Sequence, residues 1–173
     1  VTTTIDMKAQ NTTVDMVNAE LAKQRENVRM AAVSVEPKTG AVRAYFGGND
    51  GNGWDYANAP LQTGSTFKIF TLAAAVSQGI PTSQVVSDAS YQLPNPVVPG
   101  GGCRGGCTIK EALKQSLNTP FLRLQGELAH TTQDTADMAH ALGVARSLPG
   151  IEKTLTENGA APFEGITLGQ YQS

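Results

Sequence analysis

The sequence predicts an α/β (α+β) chain, an antiparallel sheet flanked by helices. Three observations lead there. Residues 28–36 (VRMAAVSVE) and 41–47 (AVRAYFG) read as strands joined by the turn Pro37-Lys38-Thr39-Gly40, which makes a β-hairpin. Residues 65–78 (STFKIFTLAAAVSQ) read as an apolar helix. Helix-start signals then recur at Thr108, Thr119 and Thr132. The length, 173 residues, suits one domain rather than two.

Each element has its own reason. Residues 1–5 are β-branched at nearly every position and predict a strand. Asp6 can cap a following helix, in which Val14, Val17 and Leu21 form one apolar stripe. Strand 28–36 places Met30, Ala32 and Ser34 on one face and Ala31, Val33 and Val35 on the other. Both faces are largely apolar, so a central strand covered on both sides is expected. Residues 48–62 are loop, with Trp54 expected to pack on the domain.

Helix 65–78 is closed by Gly79 and Pro81, and apolar residues surround most of its girth. It is therefore expected to be buried, which makes Ser65 and Lys68 conspicuous. Residues 81–107 are a long irregular stretch with Pro94, Pro96, Pro99 and five glycines between 100 and 106. Thr108 and Glu111 form a capping box for a helix to about Gln115. Ser116-Leu117-Asn118 interrupts it, and Pro120 is expected at the first position of the next helix. A further helix spans 132–142 and stops at Gly143; the remainder reads as loop.

Composition narrows the function. Hydrophobic residues make up 40% and charged residues 16%, which suits a packed core. A net charge of −2, a pI near 5.6 and the lack of a dense Lys/Arg run argue against a nucleic-acid partner. The run Leu72 to Val76 is far too short to cross a bilayer, and no signal segment opens the chain. The chain starts at Val1 and stops at Ser173 inside what reads as continuing sequence, so it is expected to be part of something longer.

Ser65 and Lys68 stand at i and i+3 and share one helix face. A serine hydroxyl becomes a good nucleophile when a base takes its proton. A lysine can be that base if desolvation lowers its pKa, and Phe67, Ile69, Phe70 and the alanine run offer an apolar wall. The helix N-terminus would supply N–H donors for an oxyanion. By itself S-x-x-K is more often a capping serine beside a surface lysine. The second pattern, Ser116-Leu117-Asn118, sits at a helix break, where a hydroxyl and an amide can relay a proton and orient a substrate amide; its ordinary reading is a cap and a turn.

Together these residues carry a resemblance. QTGSTFKIF at 62–70 resembles the active-serine motif of penicillin-binding protein transpeptidases, and Ser116-Leu117-Asn118 followed by Thr119-Pro120-Phe121 resembles their S-x-N motif. The opening VTTTIDMKAQ and the hairpin VSVEPKTGAVRAYFGG are similar to the start of that domain in class A, bifunctional members, with details that lean toward actinobacteria. Leu168-Gly169-Gln170 resembles the segment introducing the next family helix. Thr63 stands where the family usually has proline, and Leu61 near a frequent arginine.

The resemblance implies a serine β-lactamase/penicillin-binding transpeptidase-like fold. Ser65 would attack the penultimate D-alanine carbonyl of a peptidoglycan stem peptide, and Lys68 would accept its proton. Ser116 would pass a proton to the leaving amine, and Asn118 would bind the substrate backbone. The family leaves open whether the lysine or another group is the acylation base. β-Lactams would acylate the same serine. No cofactor or metal is implied. The alternatives are a D,D-carboxypeptidase or β-lactamase-type hydrolase, and a non-catalytic β-lactam receptor.

The family's third motif, K-T-G, follows S-x-N and would lie past Ser173; Lys38-Thr39-Gly40 is a turn that imitates it. Residues 1–173 are thus expected to be the N-terminal portion of one transpeptidase domain: two sheet strands, the serine helix and the helical S-x-N region. The rest of the domain, in the same chain or in a second one, becomes a required partner, without which the fold should be unstable. A glycosyltransferase domain and a membrane anchor would lie elsewhere, and the location would be extracytoplasmic. There, Cys103 and Cys107 are expected to form a disulfide pinning the glycine-rich loop. A zinc reading would need two more ligands, and His130 and His140 are poorly spaced for it.

Overall fold

A computed structural model describes residues 2–48, 53–94, 96–148 and 150–171. The chain divides into two compact units, Val1–Ala59 and Pro60–Ser173.

In the first unit, Asp6 caps α1 (Met7–Leu21) by accepting from the Ala9 N–H at 2.8 Å. The stripe Val14, Val17 and Leu21 is half-buried. β1 (Ala32–Val35) pairs antiparallel with β2 (Val42–Phe46), Val33 opposite Tyr45 and Ser34 opposite Ala44, with a register irregularity between Ser34 and Val35. Lys38-Thr39-Gly40 forms the connecting turn. Gly40 has φ +71°, and the Thr39 hydroxyl donates to the Glu36 carboxylate at 2.6 Å. Arg43 joins the same carboxylate at 2.7 Å. Thr39 first, then Arg43, hold the Glu36 carboxyl below its ordinary pKa.

Residues 2–5 are not a strand, contrary to expectation, and Val1 lies outside the described residues. The outer edge of β2 is occupied differently. Thr4 Oγ1 donates to Val42 O at 2.7 Å and Asp6 N to Arg43 O at 2.9 Å. The Gln10 amide donates to Tyr45 O at 2.9 Å and accepts from Tyr45 N at 2.8 Å, so one side chain replaces a strand partner. The helix start at Asp6 overrides local β propensity.

β1 is also shorter than predicted and is not covered on both faces: Val33 is 46% and Val35 49% exposed. Apolar alternation reported that these faces suit burial, while the described unit supplies only β2 and α1 as neighbours. Trp54 is exposed rather than packed, and loop residues 49–52 lie outside the described set.

The second unit is built around the serine helix. It begins as a 3-10 turn (Gly64–Phe67) and continues as α2 (Lys68–Ser77), followed by Gly79 at φ +84°. One face is buried, comprising Phe67, Lys68, Thr71, Ala74 and Ala75. Ile69 is 47% and Val76 51% exposed, so the predicted all-round burial does not hold. α4 and α5 both pack against α2, yet they leave part of its surface uncovered.

Residues 81–107 are better organised than expected. They hold β3 (Val85–Val86), β4 (Tyr91–Gln92), β5 (Val97–Val98) and the start of β6 (Cys107–Thr108), with β3 paired to β6 and β4 to β5. Asn95 lies outside the described residues. Thr108 caps α3 (Ile109–Lys114), its hydroxyl accepting from Glu111 N at 3.2 Å. The Glu111 carboxylate bonds Gln115 at 2.8 Å. α4 (Asn118–Gly126) starts two residues before Pro120, which is therefore third rather than first. Proline is tolerated there because N–H groups of the first turn have no intrahelical acceptor. α5 spans Thr132–Ala141. The tail, predicted as loop, contains a second 3-10 turn, Glu164–Leu168; Pro149 and residues 172–173 lie outside the described set.

Two apolar clusters flank α2. Ala74, Ala75, Val86, Ile109, Ala112, Phe121, Leu124 and Leu128 form one; Phe67, Ala136, Ala139, Leu155 and Ile166 form the other. Each fully buried Leu or Phe stabilises the fold by roughly 1.5–3 kcal/mol. Between the clusters, Thr71 Oγ1 lies 2.7 Å from Thr167 Oγ1 and 3.2 Å from Thr135 Oγ1, all three fully buried. These hydroxyls satisfy one another and fix the rotation of α2.

Candidate active site

The 3-10 start determines where the serine stands. At three residues per turn, side chains i and i+3 eclipse, so Ser65 lies directly over Lys68. Ser65 Oγ is 2.9 Å from Lys68 Nζ. The entry to this turn is held by backbone. Gly64 (φ +61°) donates to Gly169 O at 3.3 Å, and Gly169 (φ +69°) lies so close to Gly64 that a Cβ there would collide with its carbonyl. Gln62 Nε2 donates to Gln170 O at 2.8 Å.

Lys68 is fully buried, whereas Ser65, Ser116 and Asn118 are exposed. The serine and lysine were expected to be shielded together; the structure separates them, with the amine inside and the Ser65 hydroxyl at the surface. Nζ donates to Ser116 O at 2.7 Å and to Asn118 Oδ1 at 2.7 Å, and Ser116 Oγ is 3.3 Å away. The Phe121 ring centroid is 5.9 Å away. Among the described residues no carboxylate pairs with Lys68. Burial without a counter-ion lowers its pKa from 10.5 to about 8.

Counting donors defines what this amine can do. The Ser116 carbonyl and Asn118 Oδ1 can only accept, so each takes an N–H. A neutral amine has two N–H bonds and one lone pair. With both N–H bonds engaged, the lone pair faces the Ser65 hydroxyl, in position to take its proton. Asn118, turning its oxygen to Lys68, keeps its NH2 for another acceptor.

Ser116 reaches this position through a strained helix end. Its φ is +55°. Ser116 N donates to Leu113 O and Leu117 N to Ala112 O, both at 2.9 Å, the paired bonds of a Schellman motif, where glycine is usual. The left-handed turn aims both the carbonyl and the hydroxyl of Ser116 at Lys68.

The structure thus brings Ser65, Lys68, Ser116 and Asn118 together. It joins Cys103 to Cys107, Cα atoms 5.5 Å apart. No group of His, Cys, Asp or Glu suited to a metal occurs among the described residues, and His130 and His140 stand on or beside α5. Sequence reading missed Asp88, which is 3% exposed. A lone aspartate in an irregular stretch gives no pattern; the crowded glycines after Pro99 were the one available sign of a close backbone approach.

A buried lysine bonded to two serines and an asparagine, beside an exposed serine, is a set of groups able to activate a hydroxyl for attack on a carbonyl. Residues 30–168 match the penicillin binding protein transpeptidase domain, and the chain belongs to that family. Over its full length it is 48% identical to penicillin-binding protein 1A of Mycolicibacterium smegmatis and 47% to that of Mycobacterium tuberculosis, spanning 22% of each. The solved structure of PonA1 from M. tuberculosis in complex with penicillin V is 47% identical and superimposes with a TM-score of 0.93, covering 99% of this chain and 47% of that one. At 18% identity, the transpeptidase domain of Burkholderia pseudomallei penicillin-binding protein 3 shares the fold, with a TM-score of 0.69. No described helix is long and apolar enough to cross a membrane.

Proposed function

We propose that these residues are the N-terminal portion of a D,D-transpeptidase domain that cross-links peptidoglycan stem peptides through an acyl-enzyme on Ser65 and is acylated there by β-lactams. One observation carries this reading: Lys68 Nζ stands 2.9 Å from Ser65 Oγ and 2.7 Å from each of two acceptors, Ser116 O and Asn118 Oδ1.

The chemistry follows from that geometry. The Ser65 proton passes to neutral Lys68 as Oγ bonds the carbonyl carbon of the penultimate D-alanine. The Ser65 N–H, in the first turn of the 3-10 segment, faces the developing oxyanion. Collapse breaks the bond to the terminal D-alanine, whose nitrogen takes a proton from the Ser116 hydroxyl. Lys68, 3.3 Å away, returns a proton to Ser116 and is neutral again. Asn118 NH2 holds the peptide carbonyl. The amine of a second stem then attacks the ester, sheds its proton along the same path and frees Ser65. The carboxylate-binding K-T-G strand belongs to the remainder of the domain, and the protein works outside the cytoplasm, where its substrate is.

The test is labelling of the full-length protein with fluorescent penicillin, followed by peptide mapping. The label is expected on Ser65 and absent from Ser65→Ala. Label elsewhere, or labelling that survives this substitution, overturns the reading. Formation of cross-linked peptide rather than hydrolysis separates a transpeptidase from a carboxypeptidase.

A further inference from the structure

Asp88 has no part in the reaction above, yet it is buried, and no cationic side chain among the described residues pairs with it. Backbone N–H groups hold it instead. Oδ2 accepts from Cys103 N at 2.6 Å and Oδ1 from Gly105 N at 2.8 Å, two residues of the disulfide-closed ring 103–107. Its carbonyl accepts from Gly101 N at 2.8 Å and from Thr119 Oγ1 at 3.2 Å. One residue therefore ties the ring to the first turn of α4. The ring's approach lies against the site: a Cβ on Gly102 would come within 2.7 Å of Leu117 Cδ2. Leu117 sits between Ser116, which holds the strained φ of +55°, and Asn118.

We propose that Asp88 is a positioning residue for the Ser116–Asn118 turn, acting through the Cys103–Cys107 ring, whose preceding residue Gly102 lies against Leu117, and through its bond to Thr119. A strained turn persists only where its surroundings over-determine it. Here Lys68 holds it from within, and the Asp88-anchored ring holds it from outside. Breaking the ring or its anchor frees Leu117, and Ser116 and Asn118 move relative to Nζ. Acylation by penicillin then becomes sensitive to thiol reductants, although no cysteine takes part in the reaction. The inference rests on the function proposed above.

The experiment uses the full-length protein and measures acylation by fluorescent penicillin, separating the pre-acylation binding constant from the acylation step. Asp88→Asn keeps the shape, but its NH2 cannot accept an N–H. The acylation step is expected to slow by roughly 10- to 100-fold, the scale of an ångström's misplacement, with the binding constant changed by less. Reducing the wild-type protein should slow the same step, and reduction should add little to Asp88→Asn, because both act through one ring. Thr119→Val removes the second link and should give a smaller loss. If Asp88→Asn does not fold, reduced wild type and Thr119→Val decide. Native acylation rates in both overturn the proposal, as does a folded Asp88→Asn that acylates normally or loses binding affinity alone. Wild-type protein that takes no label on Ser65 defeats the proposed function instead.

Discussion

Three helices in the second unit end with the same hydrogen bonds but different residues. α2 ends with Gly79 N to Val76 O and Ile80 N to Ala75 O, each 3.0 Å. α5 ends with Gly143 N to His140 O at 3.3 Å and Val144 N to Ala139 O at 3.0 Å. α3 uses the same pattern with Ser116, where a left-handed conformation costs a side-chain-bearing residue ~1–2 kcal/mol. At Gly79 and Gly143 the chain only has to turn. At Ser116 it must turn and also present a hydroxyl and a carbonyl to Lys68, so a residue ill-suited to the conformation occupies it.

The largest expected effect removes what that strained end serves. Lys68→Ala should slow penicillin acylation by ~10²–10⁴-fold, the usual worth of a positioned general base. A native rate would leave Ser116 strained for no reason in catalysis. Next come Ser116→Ala and Ser116→Gly. Both lose the hydroxyl and should slow turnover of a D-Ala-D-Ala peptide by on the order of 10²-fold. Only the glycine variant relieves the strain, and chemical denaturation should find it about 1 kcal/mol more stable than the alanine variant. Equal stabilities would mean that the helix end is unstrained.

The pH dependence is subtler. In the proposed reaction the base is the neutral amine, so the acylation rate should rise as pH passes through about 8. Stability should rise as well. The folded pKa, about 8, lies below the ordinary 10.5, so between those values the unfolded chain binds more protons and a rising pH favours folding. Thermal melts in that window should show a shallower rise for Lys68→Met. The smallest effect is Gly143→Ala, where no atom crowds the added Cβ: about 1 kcal/mol of stability lost to backbone conformation, with the acylation rate unchanged.

The four polar residues of the site were legible because two short patterns and a helix period place them. Their arrangement was not. Nothing in STFK says that the first turn is 3-10, and nothing in SLN signals a positive φ at a serine, because both depend on packing against distant chain. The hairpin and α3 to α5 followed from local propensity and capping. The strand at residues 2–5 failed because bonds to β2 from Thr4, Asp6 and Gln10 replaced a ladder. The 3-10 turn at Glu164–Leu168 is too short to show a period. Asp88 escaped notice because its partners are backbone groups of residues 101–105, which no side-chain pattern encodes.

Gly64 and Gly169 meet main chain to main chain, one residue before Ser65. No rotamer lies between them, so backbone contact sets that spacing and side-chain hopping cannot loosen it. Variants with altered drug response therefore have little room to adjust Ser65 from that side. Changes that tune reactivity should collect on the opposite wall, where the spacing depends on flexible side chains.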